Sequence, residues 1–563
     1  MSKKGEEPNF TSFAKQPKIM CVGSWIANDK YGIKLYTKDG ALKYNVGLQP
    51  ILITKRIIND ENETESFEIA YKDQDKWKTR VVPRMYLFNK TLVTKLGDYG
   101  IDVSSTTVSS FVAYMTDLYT FNKDMIPVEY SRNHLGWLDD KCNRIIPYDK
   151  EVRCDAGKGL TRFVEAFHSK GNEEEWLRRI KNVRKNERIR LYTDASLAAP
   201  LLKIVNGLGF ITHLWGGSGN GKSVALYAAL SIWGDPAKLF LTLTATNLSL
   251  ELIAHVLQNF PMAGDELTQL DSKTMTPQDV AYLFSNGHGK NRGTKDGELQ
   301  ETKEWKTLML STGEAPFVDE SSDGGAVARV LEIESTENMY PTEPNLREFV
   351  SFLCENYGFV GEKYINYLIS LGKSKIQERY KEESQAFLEQ CKKDNLNEKQ
   401  AVSMSLIKFA DELARECIFI GEEELDENVF LSFTESRDNV SSYKRAYELV
   451  LQSAMRDKNT LIITNEDNET ISVDENKYGK TNGFWDMKNE RLFLYETYVN
   501  EILRKENSKW SFGQFKKMWL ENGLIIPGEN GRYVKKTRKL DRRAICFIFE
   551  EESEEEIAEE PPF

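Results

Sequence analysis

Gly216-Gly-Ser-Gly-Asn-Gly-Lys-Ser223 fits the pattern G-x-x-x-x-G-K-[ST]. Upstream, Gly209-Phe-Ile-Thr-His-Leu-Trp215 reads as a buried strand. Downstream, Val224-Ala-Leu-Tyr-Ala-Ala-Leu-Ser-Ile-Trp233 reads as an apolar helix. A strand, a glycine-rich loop and a helix in that order are the context in which the pattern binds phosphates. Glycines leave room for successive backbone N–H groups to turn inward, where a Cβ would block them. The helix N-terminus adds partial positive charge. Gly216, Gly217, Ser218, Gly219, Asn220 and Gly221 are therefore expected to cradle the phosphates of ATP. Lys222 is expected to reach the β- and γ-phosphates, and Ser223 to ligate Mg²⁺. The competing reading is a plain glycine-rich turn.

Working downstream, Phe260-Pro-Met-Ala-Gly-Asp-Glu266 is a short apolar run ending in two acids. Asp265 is expected to hold Mg²⁺, directly or through water, and Glu266 to polarise the attacking water. Pro261 and Gly264 interrupt the run, so a surface loop with two solvated acids is the alternative. The position favours the site: one βα unit after the loop's helix, by way of Leu239-Phe-Leu-Thr-Leu243. A further strand, Trp305-Lys-Thr-Leu-Met-Leu310, ends in Ser311-Thr312-Gly313-Glu314. Ligands of open α/β sheets bind at such strand tips. Ser311 or Thr312 is thus placed to sense the γ-phosphate or hold the water, with an N-cap or turn as the alternative. Arg329 begins the strand after Gly324-Gly-Ala-Val-Ala. Its permanent charge and forked donors suit an arginine finger for a neighbouring subunit, against an ordinary ion pair. Between acids and sensor lies Asn286-Gly-His-Gly-Lys-Asn-Arg-Gly-Thr-Lys295. Lys290, Arg292 and Lys295 make this loop suitable for a phosphate backbone, or else a solvated hairpin tip.

The chain has 563 residues, enough for three or four domains, with 40% hydrophobic and 29% charged residues. Its 87 acidic and 75 basic residues give a net charge of −12, which excludes a histone-like polycation but not segregated nucleic-acid-binding patches. No run of 18 apolar residues exists, and Met1-Ser-Lys-Lys-Gly-Glu-Glu leads into no apolar h-region, so neither a membrane span nor a signal peptide is expected. Seven scattered cysteines without a C-x-x-C pair, and five dispersed histidines, argue against disulfides or a zinc site and for a cytoplasmic protein.

Residues 1–170 read as mixed α/β, with strands at Lys18–Gly23, Gln49–Ile58 and Ser66–Tyr71, and a helix from Ser109. Trp25, Trp77 and Trp137 are expected in the core rather than as stacking platforms. Residues 171–340 alternate strand and helix, which argues a largely parallel sheet. Residues 341–456 are almost entirely helical. Within 457–550, residues 491–549 read helix, helix, strand, turn, strand, the order of a winged helix. There Leu492-Phe-Leu-Tyr-Glu-Thr-Tyr-Val is read as the first helix, and Ser511 to Gly523 as the second. Lys535, Lys536, Arg538 and Lys539 belong to a basic run on the wing, placed to neutralise DNA phosphates, with Lys516 and Lys517 on the helix. A solvated charged hairpin is the alternative. Residues 551–563 continue a glutamate-rich tail expected to be disordered.

The glycine loop, Ile232-Trp-Gly-Asp-Pro236, Asn286-Gly-His-Gly-Lys-Asn-Arg-Gly293, Ser311-Thr-Gly-Glu314 and His134-Leu-Gly-Trp137 together resemble the family known as domain of unknown function 927. That family includes the Cch-type self-loading helicases of staphylococcal cassette chromosomes, AAA+ proteins similar to MCM and superfamily 3 helicases. The resemblance implies a multidomain α/β protein with an AAA+ P-loop ATPase core, a mixed α/β N-terminal collar or DNA-contact domain, a helical region and a C-terminal winged helix. It implies that Lys222, Ser223, Asp265 and Glu266 are the ATPase residues, that Arg329 acts in trans, and that residues 286–295 face a central channel. Thr312 stands where related superfamily 3 helicases commonly carry Asn. The implied function is a ring-forming, hexameric, ATP-dependent DNA helicase of a mobile element, with single-stranded DNA in its pore and duplex on its winged helix. The rival readings are a non-translocating initiator or remodeller that uses ATP as an assembly switch, and a defence-type NTPase.

Overall fold

The computed structural model describes residues 8–548 apart from 158, 244–245, 267–274, 294–301, 319–323, 435–441, 466–468, 473–480, 507–509 and 529–531. The chain divides into two compact units, Met1–Glu165 and Ala166–Phe563. No described helix is long and apolar enough to cross a membrane.

The first unit is built on a five-stranded mixed sheet. Its strands are β1 (Ile51–Asn59), β2 (Glu65–Asp73), β3 (Lys76–Pro83), β4 (Val128–Arg132) and β5 (Val152–Cys154), in the order β5-β4-β1-β2-β3. The polar turn at Asn59–Thr64 closes the β1–β2 hairpin, and Asn59 N donates to Thr64 O at 2.9 Å. Helix α1 (Val108–Asn122) buries Phe111, Tyr114, Met115 and Leu118, the i, i+3, i+4, i+7 face that the sequence displays. These side chains share a core with Trp25, Ile51, Ile53, Phe67 and Ile69, and Trp77 packs half-buried against it. Trp137 is buried as well.

The second unit opens with two helices, α2 (Glu173–Val183) and α3 (Glu187–Ala198), each capped by an asparagine whose side chain accepts from the first turn. A four-stranded sheet follows, made of β6 (Ile211–Trp215), β7 (Met262–Gly264), β8 (Met309–Gly313) and β9 (Val330–Glu334). The order is β7-β8-β6-β9 and every pairing is parallel. Such strands are covered on both faces, and β7 and β8 are buried throughout. Strand β7 lies at the edge, which is where Pro261 and Gly264 are tolerated. Leu239 ends a short helix (Pro236–Leu239), and the stretch to Leu243 then meets the sheet by one bridge, Thr242 to Asp265. Between strands lie α4 (Lys222–Ser231), α5 (Asn247–Leu257) and α6 (Pro277–Asn286).

Helices α7 (Leu346–Glu355), α8 (Phe359–Leu371), α9 (Lys373–Lys393) and α10 (Glu398–Cys417) follow. Helix α11 (Ser442–Arg456) packs Ala446, Val450 and Ala454 into one core with Leu461, Leu492, Trp519 and Phe547, so it is a structural part of the C-terminal module. That module carries a six-stranded sheet of β10 (Leu461–Thr464), β11 (Thr470–Ser472), β12 (Gly483–Asp486), β13 (Arg491–Leu494), β14 (Ile525–Ile526) and β15 (Ile545–Ile548), in the order β11-β10-β12-β13-β15-β14. Its helices are α12 (Glu496–Glu506) and α13 (Phe512–Glu521). Residues 491–494, read as helical from sequence, form strand β13, hydrogen-bonded between β12 and β15. The helix begins only at Glu496. The acidic tail, residues 551–563, lies outside the described residues.

Candidate functional site

Strand β6 runs through the middle of the parallel sheet, and its C-terminal tip delivers the chain into Gly216–Ser223. Three glycines of the loop hold left-handed φ: Gly216 at 135°, Gly219 at 87° and Gly221 at 80°. Two of them also lack room for a side chain. A Cβ on Gly216 would lie 2.3 Å from Ser335 Oγ, and one on Gly221 would lie 2.5 Å from the Tyr340 ring. The segment after β9 therefore forms the wall of the loop. Tyr340 Oη donates to Gly221 O at 2.8 Å, and Asn220 Nδ2 donates to Ser335 Oγ at 3.2 Å. Gly217 and Ser218 lie at the open side of the turn, and Ser218 is exposed. Helix α4 starts at Lys222, whose ammonium group donates to Gly216 O at 2.9 Å and Gly217 O at 2.7 Å. With the ammonium so placed, the loop's own carbonyls solvate the charge that a phosphate would attract.

Opposite the loop, β7 delivers Asp265, which is buried. Ser223 Oγ donates to Asp265 Oδ1 at 2.9 Å, and the Thr312 hydroxyl donates to the same oxygen. Three stretches far apart in sequence thus converge on one carboxylate. The backbone around it is fixed too: Asp265 N donates to Leu241 O at 2.8 Å, and Leu243 N to Asp265 O at 3.0 Å. Glu266 follows half-buried with φ at 58°, a left-handed conformation uncommon for a residue with a Cβ. A carboxylate, a hydroxyl and an adjacent second carboxylate form a hard oxygen donor set of the kind Mg²⁺ prefers.

Arg329 stands elsewhere. It precedes β9, at the end of the sheet opposite the loop, where its O accepts from Ile211 N at 3.0 Å. Its Nε donates to Ser285 Oγ at 2.6 Å, Nη1 donates to Gly325 O, and the guanidinium lies 4.7 Å from the Tyr282 ring centroid. In the basic loop, Lys290 is exposed, whereas Arg292 is paired with the buried carboxylate of Glu251 at 2.6 Å. Lys295 lies outside the described residues. In the C-terminal module, Lys536, Arg538 and Lys539 are exposed and Lys535 is bridged by its backbone to Ala544. Lys539 Nζ donates to Thr470 Oγ1 at 3.2 Å, Lys516 lies over Tyr533, and Lys517 pairs with Glu521 at 3.7 Å.

Residues 28–304 match the model of the family described as Domain of unknown function (DUF927). The matched segment spans just under half of the chain. The DUF927 segment contains the glycine loop, both acids and the described part of the basic loop; Thr312 and Arg329 follow it. The fold is similar to that of a solved structure described as "SCCmec type IV Cch - active helicase", with TM-score 0.68 and 17% identity over 94% of this chain and 97% of that one. A second solved structure, described as the A form apo structure of the NrS-1 C terminal region, aligns over 88% of this chain and 96% of that one at TM-score 0.33 and 10% identity. No curated protein sequence matches.

The site also has members that sequence reading missed, most of them inside the DUF927 segment. His213, at the centre of β6, is fully buried; its Nδ1 lies 3.1 Å from Ser311 Oγ and its Nε2 lies 3.0 Å from Ala315 O. A carbonyl only accepts, so Nε2 carries the proton and Nδ1 accepts from the serine. Burial lowers the His213 pKa to about 4 and keeps the ring neutral. Tyr192 Oη, from α3, donates to Ser311 O at 3.0 Å. Ser311 thus faces His213 while Thr312 faces Asp265, as alternation along a strand requires. A histidine inside an otherwise apolar strand is the only sequence signal for this support.

Proposed function

We propose that the protein is an ATP-dependent DNA helicase of the AAA+ type that works as a hexameric ring in replicating a mobile element. The observation that carries this reading is the convergence of Ser223, Asp265 and Thr312 beside a glycine cradle. That arrangement suits a triphosphate and a divalent cation, and likeness to a fold described as an active helicase supports the coupling to DNA.

In this reading, Gly216–Gly221 present backbone N–H groups to the phosphates. Lys222 leaves its loop carbonyls for the β- and γ-phosphates. Ser223 and Asp265 hold Mg²⁺, which when bound neutralises charge building up on the phosphate oxygens. Glu266 accepts the proton of the attacking water, and Thr312 fixes the Asp265 carboxylate. Arg329 serves the site of the next subunit, which agrees with its distance along the sheet from its own loop. The hairpin bearing Lys290 and Lys295 contacts the strand in the pore. The C-terminal module acts as a winged helix, with Lys535, Lys536, Arg538 and Lys539 on duplex phosphates. The N-terminal unit serves as the collar.

The test is DNA-stimulated ATPase together with strand displacement on a forked duplex, wild type beside Lys222→Ala. The expected result is unwinding that Lys222→Ala abolishes along with hydrolysis. ATP-dependent assembly on DNA without displacement would replace the helicase by a non-translocating initiator. Hydrolysis indifferent to DNA would point to a defence-type NTPase.

A further inference from the structure

Helix α5 presents two polar side chains at i and i+4, on one helix face, and its C-cap residue, turned out of helical geometry at φ 53°, adds a third. They are Glu251, His255 and Gln258, and all three hold the basic hairpin. Glu251 is fully buried, yet both its oxygens are taken: Arg292 Nη1 donates to Oε2 at 2.6 Å and Nη2 to Oε1 at 3.1 Å. Lys290 N lies 3.4 Å from Oε1. Gly289 packs so closely that a Cβ there would sit 2.7 Å from Oε2. The outgoing arm is thereby clamped at residues 289–292. The returning arm is held at Glu304 O by His255 Nδ1 at 3.0 Å and Gln258 Nε2 at 3.0 Å. Gly289 N to Lys303 O and Trp305 N to Gly287 O, both 2.8 Å, join the arms. At its other end, the segment leading into α5 is hydrogen-bonded to Asp265 through Leu241 and Leu243.

We infer that Glu251 is a positioning residue that sets the angle of the hairpin and joins it, through α5, to the nucleotide site, and that Arg292 is an internal strut rather than a phosphate ligand. The inference rests on the helicase reading above and deepens it. A buried carboxylate needs its charge partner, and a guanidinium whose two terminal nitrogens both donate to that carboxylate is held in one orientation. Among the described residues of the hairpin, Lys290, exposed beside that clamp, is the cation placed to meet a polyanion.

Four variants and one double variant test this by DNA-stimulated ATPase and by the salt dependence of single-strand binding. Lys290→Gln is expected to flatten the log–log salt slope by about 0.7, the share of a single phosphate neutralised by one cation. Arg292→Gln and Glu251→Gln are expected to keep the wild-type slope while lowering stimulation by about tenfold, because the hairpin is misplaced. Gly289→Ala keeps both charges but wedges the arm off α5, and should show the same fall in stimulation. Combining Glu251→Gln with Arg292→Gln restores a neutral hydrogen-bonding pair, and at least half of the stimulation should return. Two results would overturn the inference: a flattened slope in Arg292→Gln that Glu251→Gln does not rescue, or wild-type stimulation in both Glu251→Gln and Gly289→Ala. A wild-type ATPase indifferent to DNA would instead remove the helicase reading, and this inference with it.

Discussion

Asp265 Oδ1 accepts from Ser223 and from Thr312, and Glu266 sits next to it in a left-handed turn. At that point two chemistries separate. If Glu266 is the base proposed above, replacing it by Gln keeps size and hydrogen bonding but removes that base, so ATP binding should persist while turnover falls by about 10²–10⁴-fold. Nucleotide-binding titration beside steady-state ATPase measures both, and a normal rate would remove Glu266 from its role. His213 yields a pH prediction. Its folded pKa, about 4, lies below the ordinary value of 6.5. Between those values the unfolded chain takes up a proton that the folded chain does not. Stability is therefore retained above about pH 6.5 and lost as pH falls toward 4, by at most roughly 1.4 kcal/mol per pH unit from this group. Denaturant unfolding at pH 7 and pH 5 should show a larger drop for wild type than for His213→Gln. Glycines, lysine, serine and acids were legible as motif residues. His213 and Tyr340 were not, because what makes them part of the site is a partner about 100 residues away.

Among elements, α2, α3 and α10 are tied by buried charge. Arg184 is wholly buried; its Nη1 donates to Asp194 Oδ1 at 2.7 Å and Thr193 Oγ1 at 2.6 Å, and its Nη2 pairs with Glu422 at 3.0 Å. Arg190 forms a bidentate pair with Asp411 at 2.7 and 2.9 Å. Removing one partner strands the others in low dielectric. Arg184→Met should therefore cost about 3–5 kcal/mol, read as a lowered urea midpoint. An exposed pair such as Arg178–Glu175 should cost under about 1 kcal/mol when broken. Residues 491–494 show how an element is misread. Leu492-Phe-Leu-Tyr runs directly into a real amphipathic helix, and four apolar residues fit either period. Pairing on both sides, with β12 and with β15, settles the segment as a strand. The parallel core sheet was easier, since its strands are short apolar runs separated by helices.

Across the whole molecule, Arg329 and the glycine loop lie at opposite ends of the same sheet, so one chain does not bring both to one phosphate. If neighbouring subunits complete the site, mixing inactive Arg329→Ala with inactive Lys222→Ala protein should restore part of the ATPase at mixed interfaces. Mixtures as inactive as their components would return Arg329 to the local role shown by its bonds to Ser285 and Gly325. The amino-acid sequence by itself determined the strand–loop–helix cradle and the alternation that builds a parallel sheet, because glycine freedom, capping and hydrophobic period act over a few residues. Only the tertiary structure decided that Ser223, Asp265 and Thr312 share one oxygen and that Arg292 is bound to Glu251. It also decided that α11 joins the C-terminal core. Each of these is settled by which distant groups must be buried together and satisfied together, a condition that no local spacing encodes.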